Sequence, residues 1–239
     1  MALVGLPRVD RLHMADLTLP ASHPRAAEGT CSVFAYVVHH PDGPVLVDTG
    51  VGAGNELIDR LYQPRTWDVV ERLAEVGVDA RDVVTVVLSH LHFDHCGQQT
   101  RLAAPVVVQA DEVAAAALPR FTVPEWARVP ADRLRTVTGD AELAEGVRLL
   151  HTPGHTPGHQ SVLVEGGGER LLLVGQCAYT AAELAAGQVP VGDAHDPSWH
   201  PAATASVERL RALQPTVALF AHDASFFPLP AAPVDHRSP

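Results

Sequence analysis

Three histidines and one aspartate follow directly on the apolar run at residues 83–88, namely His90, His92, Asp94 and His95. The run predicts a strand, so these side chains reach a strand end, where they can enter a cleft. In extended backbone, His90 and His92 point to one side, and the next two ligands can face a second position as the chain turns. Imidazole and carboxylate together suit zinc, and also iron or manganese. We therefore predict a metal centre at this point of the chain.

Two further segments carry candidate ligands. Residues 151–159 read HTPGHTPGH, and their prolines and glycines give a rigid, tight loop that can place a ligand such as His155 accurately. His222 ends another predicted strand. The remaining histidines, among them His13 and His39, have no such neighbours in the sequence, and we expect them at the surface.

Short apolar or β-branched runs, each bounded by turn residues, predict the strands that position these ligands. The predicted strands are residues 32–38, 44–47, 83–88, 105–108, 147–150, 161–164, 170–174 and 216–220. Apolar residues with helical period predict helices at 67–74 and 207–213. Some strands follow each other directly, and the glycines at 166–168 predict a hairpin between two of them. This mixture favours mixed sheets flanked by helices.

Two segments lack such patterns. Residues 120–135 show no clear period, and we expect them to form a mobile loop over the site. Residues 227–239 are rich in proline, and we expect an irregular tail. A chain of 239 residues with 46% hydrophobic residues can bury one sizeable core, so we predict a single domain over 1–239 with its core at about 30–226.

Composition limits the partners. The net charge is −11 and the basic residues are scattered, so the attraction that nucleic acid or an anionic membrane requires is missing. No apolar stretch approaches the ~20 residues that span a bilayer. Residues 1–20 do not read as a secretory signal, and we expect a cytoplasmic location. The three cysteines show no CxxC spacing, which argues against a disulfide framework. The expected partner is a small-molecule substrate, and the oligomeric state stays open.

Together these motifs resemble those of the metallo-β-lactamase superfamily. Residues 90–95 are similar to its HxHxDH signature, and VDTG at 47–50, TPGH at 152–155 and AHD at 221–223 resemble its other motifs in the expected order. The resemblance covers about residues 33–226. It implies an α+β fold, the αββα metallo-β-lactamase sandwich with two mixed β-sheets flanked by helices.

The resemblance also implies two groups of metal ligands and one supporting carboxylate. By the family pattern, the first metal is held by His90, His92 and His155. The second metal is held by Asp94, His95 and His222. Asp48 would be the carboxylate that orients the ligands, because a metal-bound imidazole usually needs a partner for its other nitrogen.

Within the superfamily, the segments at 89–97, 151–161 and 219–223 are similar to those of N-acyl homoserine lactonases, which quench quorum sensing. This likeness implies that Tyr179 is the catalytic tyrosine and that Gln176 occupies the place of the aspartate that bridges the two metals. An amide oxygen can bind a metal but brings no charge, so Gln176 is a further candidate ligand and the second metal site is expected to be weak. Cys177 is next to it, but in a strand it would face away from the Gln176 side.

The expected function is a metal-dependent hydrolase that opens a lactone, or a related ester, by attack of metal-bound hydroxide. Tyr179 would donate to the developing oxyanion, and Asp94 would carry a proton to the leaving alkoxide. The expected cofactor is zinc, with one or two ions per chain, and iron or manganese would accept the same ligand types.

Three alternatives stay open. A thioester or other ester hydrolase of the same superfamily would use the same water and the same oxyanion donor. An iron-dependent oxygenase would work with one metal, and would be recognised by bound iron and consumption of oxygen. A catalytically degenerate member would bind a metal or ligand without turnover. The intact ligand set argues against this last alternative.

Overall fold

Two β-sheets pack face to face, and helices cover their outer sides. This is the arrangement in the computed structural model, which describes residues 5–189, Ser198 and residues 200–225. It confirms the predicted sandwich of two mixed sheets. Among the described residues, no helix is both long enough and apolar enough to cross a membrane.

The described strands and helices alternate in parts of the chain. The strands are β1 (Val9–Thr18), β2 (Thr30–His40), β3 (Gly43–Val47), β4 (Arg65–Thr66), β5 (Thr85–Val87), β6 (Val106–Gln109), β7 (Leu134–Val137), β8 (Ala141–Ala144), β9 (Val147–His151), β10 (Gln160–Gly166), β11 (Glu169–Leu173) and β12 (Val217–Leu219). The helices are α1 (Glu56–Tyr62), α2 (Val69–Glu75), α3 (Phe93–Cys96), α4 (Ala110–Ala115), α5 (Pro124–Ala127), α6 (Ala181–Ala186) and α7 (His200–Ala212).

The first sheet has seven strands in the order β4-β1-β2-β3-β5-β6-β7, and the second has five in the order β12-β11-β10-β9-β8. In the first sheet, β3, β5, β6 and β7 are parallel to one another, and the remaining pairs are antiparallel. In the second sheet, only β11 and β12 are parallel. The site-bearing loops follow the ends of β3, β5, β9, β11 and β12.

Strand β2 shows how the sequence builds the layers. Phe34 and Tyr36 face the second sheet and pack in the core between the sheets, whereas Val33 and Val37 face the opposite side. There they pack in a core that includes Leu73 of α2. Because successive side chains of a strand alternate between its faces, a strand buried on both sides reads as a continuous apolar run. The outer face of the second sheet packs in the same way against α6 and α7.

Most predicted elements are present. Each of the predicted strands overlaps an observed strand, the predicted helices overlap α2 and α7, and β10 and β11 form the predicted hairpin. The prediction of a loop over 120–135 is wrong in part, because Pro124 begins the short helix α5 and Leu134 begins β7. β1 lies before residue 30, where we expect the core to begin, yet it pairs with β2. The tail predicted at 227–239 lies outside the described residues.

Candidate metal centre

The loop after β5 brings four predicted ligands to one end of the sandwich. Strand β5 ends at Val87, and α3 begins at Phe93 with His92 as its N-cap residue. The main chain of this loop is fixed by the neighbouring loop after β3, since the backbone N–H and the hydroxyl of Thr49 both donate to the His95 carbonyl. Gly97 donates in turn to the carbonyl of Gly50. The two loops are therefore held together by backbone hydrogen bonds.

The first group of ligands is a triangle of ring nitrogens. His90 Nε2 lies 3.1 Å from His92 Nδ1, and His155 Nε2 lies 3.1 Å from the first atom and 3.0 Å from the second. A neutral imidazole has a single N–H, which cannot point at two corners of a triangle at once. Around a tetrahedral zinc with bonds of about 2.0–2.1 Å, ligand nitrogens lie only slightly farther apart than this. The triangle therefore fits a metal ion better than a set of hydrogen bonds.

The second group is centred on a carboxylate. Asp94 Oδ2 lies 3.5 Å from His95 Nε2 and 3.6 Å from His222 Nε2. Within the described part of the chain, His95 Nε2 is buried and makes no hydrogen bond. A buried nitrogen without a hydrogen bond is costly, and a bound cation would satisfy it. The six predicted ligands thus form two adjacent groups with converging donor atoms.

The outer nitrogens of these imidazoles have oxygen partners. Asp48 Oδ2 lies 2.8 Å from His95 Nδ1, and the same carboxylate accepts from the backbone N–H and hydroxyl of Ser89. His222 Nδ1 lies 2.9 Å from the carbonyl of Ser32. Because these oxygens accept hydrogen bonds, they favour a proton on Nδ1 and leave the lone pair of Nε2 directed inward. Asp48 is held in left-handed backbone at φ 64°, which is strain of the kind found at functional sites.

Burial and neighbouring charges shift the pKa values of the candidate ligands. Burial, together with the neighbouring histidines, holds the pKa of His90 well below its usual value, so this ring is neutral. Burial alone would raise the pKa of Asp94, but His95 and His222 lower it. Burial alone would lower the pKa of His95, but Asp94 and Asp48 raise it to about 10. Without a metal, Asp94 and His95 therefore form a buried ion pair, and an ion that binds there must displace a proton.

Gln176 and Tyr179 lie beside these groups. The Gln176 side-chain amide donates to the Tyr179 hydroxyl at 2.8 Å, and its buried Oε1 makes no hydrogen bond to any described residue. The Tyr179 ring stacks on His222 with 5.2 Å between the centroids. Both residues follow the end of β11, so the expectation that Cys177 lies in a strand is wrong. Cys177 nevertheless packs in the core between the second sheet and its helices.

A cavity of about 330 Å³ opens over both groups. Its floor contains His92, Asp94, His155, Gln176, Tyr179 and His222. Leu17, Leu19 and Phe121 contribute apolar wall, which suits a substrate with a hydrocarbon part. The segment 120–135, expected to lie over the site, reaches it through Arg120 and Phe121.

One residue of the site, Arg25, was not predicted. Arg25 lines the cavity, lies 4.4 Å over the Tyr179 ring and pairs with Glu183, yet nothing in its sequence neighbourhood indicates this role. His159 is fully buried and its Nε2 accepts from the Gln176 backbone N–H at 2.9 Å.

His13 and His39 are not the unpartnered surface residues that we expect. They lie in β1 and β2, and each is only partly exposed. His13 lies 2.8 Å from a carboxylate oxygen of Asp16, and His39 lies 2.7 Å from one of Asp10. Such pairs form between neighbouring strands or at short spacing within one strand, and no local pattern in the sequence marks them.

Comparison of the sequence with known proteins identifies a matching family and several relatives. The family model described as "Metallo-beta-lactamase superfamily" matches residues 29–222. An N-acyl homoserine lactonase of a Bacillus species is 36% identical over 146 residues, which are 56% of this chain and 58% of the relative. The chain therefore aligns with less than two thirds of the length of this relative. The N-acyl homoserine lactonase AiiB of Agrobacterium fabrum is 26% identical over 222 residues, with 82% and 80% covered.

Solved structures resemble the chain over more of its length. One is an N-acyl homoserine lactone hydrolase with the product N-hexanoyl-L-homoserine bound at the catalytic metal centre. It has a TM-score of 0.73 and 27% identity, and the match covers 94% of this chain and 95% of the other. A mutant of B. thuringiensis AiiA with N-decanoyl-L-homoserine at the active site gives a TM-score of 0.74 and 26% identity, covering 92% and 94%.

Proposed function

The chain belongs to the metallo-beta-lactamase superfamily, and within this family we propose that it is a metal-dependent hydrolase that opens the ring of an N-acyl homoserine lactone. The observation that carries the proposal is the triangle of ring nitrogens of His90, His92 and His155, of which His92 and His155 line a cavity together with Tyr179. Such a centre can activate water next to a bound carbonyl group. The likeness to lactonase structures with an acyl homoserine product supports the choice of substrate.

The proposed metal is zinc, held first by the three histidines of the triangle. A bound ion would act as a Lewis acid and lower the pKa of water, so that hydroxide is available at neutral pH to attack a carbonyl carbon. Asp94, His95 and His222 would hold a second ion. We propose that this second site is weaker, because Gln176 contributes a neutral amide oxygen where the resemblance implies a carboxylate.

The protein's own residues then handle charge and protons. The Tyr179 oxygen accepts a hydrogen bond from the Gln176 amide, and a phenol in this position can still donate its own proton to the oxyanion of the substrate. Asp94 is ionised at neutral pH, so its carboxylate is available to accept the proton of the attacking water. It can then pass this proton to the alkoxide that leaves when the ring C–O bond breaks.

The overall reaction adds one water across the ester bond. The products are a hydroxyl group and a carboxylic acid, and the acid releases a proton at neutral pH because its pKa lies near 4. The acyl amide of the substrate is not cleaved. The apolar wall of the cavity would contact the acyl chain of the substrate, and the lactone panel described below measures which chain length is preferred.

The experiment is a proton-release assay on a panel of acyl homoserine lactones, an acyl thioester and a simple aryl ester. The protein is assayed as purified, after chelation and after reloading with zinc, manganese or iron. We expect lactone opening that is lost with chelator and restored by metal. Equal rates in chelator would contradict metal dependence, and faster turnover of the thioester would overturn the lactone as substrate. Oxygen consumption by the iron-loaded protein would instead favour an oxygenase.

A further inference from the structure

Glu112 is a buried carboxylate that the proposed reaction does not use. It lies on α4, one turn after the end of β6, and it has no exposed surface. Burying a carboxylate is costly unless hydrogen bonds replace its lost hydration. The groups that contact Glu112 therefore show what it is there to hold.

Both oxygens of Glu112 accept hydrogen bonds from the loops that carry the histidine triangle. Oε1 accepts from the backbone N–H of Leu91 at 2.8 Å, and Leu91 is the residue between the first two histidines. Oε2 accepts from the Thr156 hydroxyl at 2.6 Å and from the backbone N–H of Gly158 at 3.0 Å, next to His155. One loop follows β5 of the first sheet, and the other joins β9 to β10 of the second. A single carboxylate thus spans the two sheets at the metal centre.

The contact between α4 and the second loop is too close for a side chain. A Cβ atom on Gly158 would lie 2.2 Å from the backbone nitrogen of Glu112. Burial raises the pKa of Glu112 to about 7, against the hydrogen bonds from Thr156, Leu91 and Gly158, which lower it. All three partners are donors, which is the arrangement that an ionised carboxylate requires.

We propose that Glu112 is a positioning residue that sets the distance between His155 and the pair formed by His90 and His92. The inference rests on the proposed metal centre. A metal tolerates deviations of only about 0.2 Å in its ligand distances, and the ligands come from two separate sheets. A carboxylate that fixes both loops removes the loop motion that would otherwise oppose binding. Groups that support metal ligands from behind typically account for about 10- to 100-fold in metal affinity.

The experiment measures zinc affinity rather than activity. In Glu112→Gln the side chain keeps its shape, but its NH₂ must face a donor, either Leu91 N–H or the pair on the other loop. We expect the first zinc equivalent to bind about 10- to 100-fold more weakly, as measured by competition with a chromogenic chelator. Asp111→Asn is the matched control, because Asp111 is exposed on the same helix and its variant should bind zinc as the unaltered protein does.

A second variant keeps the test independent of folding. Thr156→Val removes one of the three hydrogen bonds and leaves the Glu112 side chain itself in place, so we expect a loss in the same direction, up to about tenfold. The cobalt-loaded proteins are compared by visible absorption, which reports ligand geometry. A changed spectrum together with weaker binding supports positioning. If Glu112→Gln does not fold, Thr156→Val decides the question alone.

The outcomes separate this inference from the proposed function. If both variants bind zinc as tightly as the unaltered protein and keep its cobalt spectrum, Glu112 is a structural residue only and the inference is overturned, although lactone opening can still be correct. If the unaltered protein binds no metal, the proposed metal centre and this inference fail together. Reduced stability of the metal-free variants without reduced affinity also overturns positioning.

Discussion

In the proposed metal centre, Gln176 is the residue whose charge would decide how many metal ions are held. Two divalent ions bring four positive charges, and Asp94 with one hydroxide would balance two of them. An aspartate at position 176 would balance a third, but an amide balances none. Cations a few ångströms apart repel strongly where water is scarce. The Gln176 Oε1 atom is buried and makes no hydrogen bond among the described residues. This amide oxygen could therefore bind a metal ion, but it brings no negative charge to balance the ion.

We therefore expect Gln176→Asp to raise the metal content of the dialysed protein from about one toward two ions per chain. Elemental analysis after identical dialysis measures this. Gln188→Asp is the matched control, since it adds the same charge at an exposed position just after the C-terminal end of α6 and should leave the metal content unchanged. Two firmly held ions in the unaltered protein, with no gain in Gln176→Asp, would show that another group balances the charge.

Tyr179 lines the cavity, and its proposed role is to act on the substrate. Its hydroxyl contacts the Gln176 amide, and the guanidinium of Arg25 lies over its ring. We expect Tyr179→Phe to lower kcat on a lactone by about tenfold or more with little change in metal content, because an oxyanion donor is lost. Tyr36→Phe is the control, since it also removes a buried phenol hydroxyl, which donates to the Phe220 carbonyl. Steady-state kinetics that show no loss in Tyr179→Phe would remove it from the mechanism.

At the scale of elements, strands were predictable where burial gives a simple period. The runs that became β5 and β6 are buried on both faces and read as continuous apolar stretches. β1 escapes prediction for a physical reason. A register shift between His13 and Ala15 moves the buried positions from one alternation to the other, so the strand shows no sustained period of two. Most of the helices are one or two turns long, which is too short for a helical period.

The candidate site was predictable in part for a similar reason. Candidate ligands that lie close together in the sequence, such as His90 and His92, can be recognised as a cluster from the sequence alone. Glu112 and Arg25 do not, because they reach the site only through the fold. Glu112 contacts Thr156 from 44 positions away, and Arg25 contacts Glu183 from 158 positions away. A single sequence contains no local signal for such pairs.

At Gly97, the loop after β5 packs closely against the loop after β3, and a substitution there tests this contact. It has ordinary helical backbone at φ −63°, but a Cβ atom there would lie 1.9 Å from the backbone nitrogen of Gly52. We expect Gly97→Ala to lower the free energy of unfolding by about 1–3 kcal/mol, since backbone must move to make room. Urea unfolding measures the change. Gly77→Ala is the control, because its Cβ would meet nothing and the substitution costs only the strain of its positive φ. An unchanged free energy of unfolding in Gly97→Ala would show that the close approach is unimportant.

At the scale of the whole molecule, each ligand group joins the two sheets. In each group two ligands come from the loop after β5, and the third comes from the second sheet, as His155 or as His222. A bound ion would therefore link the two halves of the sandwich at this end. Ligand binding to the native state alone stabilises it by about 2.7 kcal/mol at one hundred times Kd. The metal-free protein depends instead on His90 and His159 staying neutral.

This dependence leads to a prediction about pH. Burial holds the pKa values of His90 and His159 well below the ordinary value of 6.5, so both stay neutral in the folded protein as the pH falls. The unfolded chain takes up these protons below about pH 6.5, which favours unfolding. His95 offsets this only slightly, because its pKa is raised to about 10 and its stabilising contribution is nearly complete once the pH falls below 6.5. The lowered pKa of Asp94 matters only as the pH falls below about 4.

We therefore expect the metal-free protein to lose stability steadily between pH 6.5 and pH 5. Each neutral buried histidine contributes a slope of up to about 1.4 kcal/mol per pH unit, so two give up to roughly 2.7. Urea unfolding of chelated, dialysed protein at several pH values between 6.5 and 5 measures the slope. In His159→Gln one titrating group is absent, and the slope should fall by about half even if the variant is less stable at every pH. A free energy of unfolding that is constant or rises on acidification would mean that these histidines take up protons in the folded state, and that the ligand group is more open to water than its burial indicates.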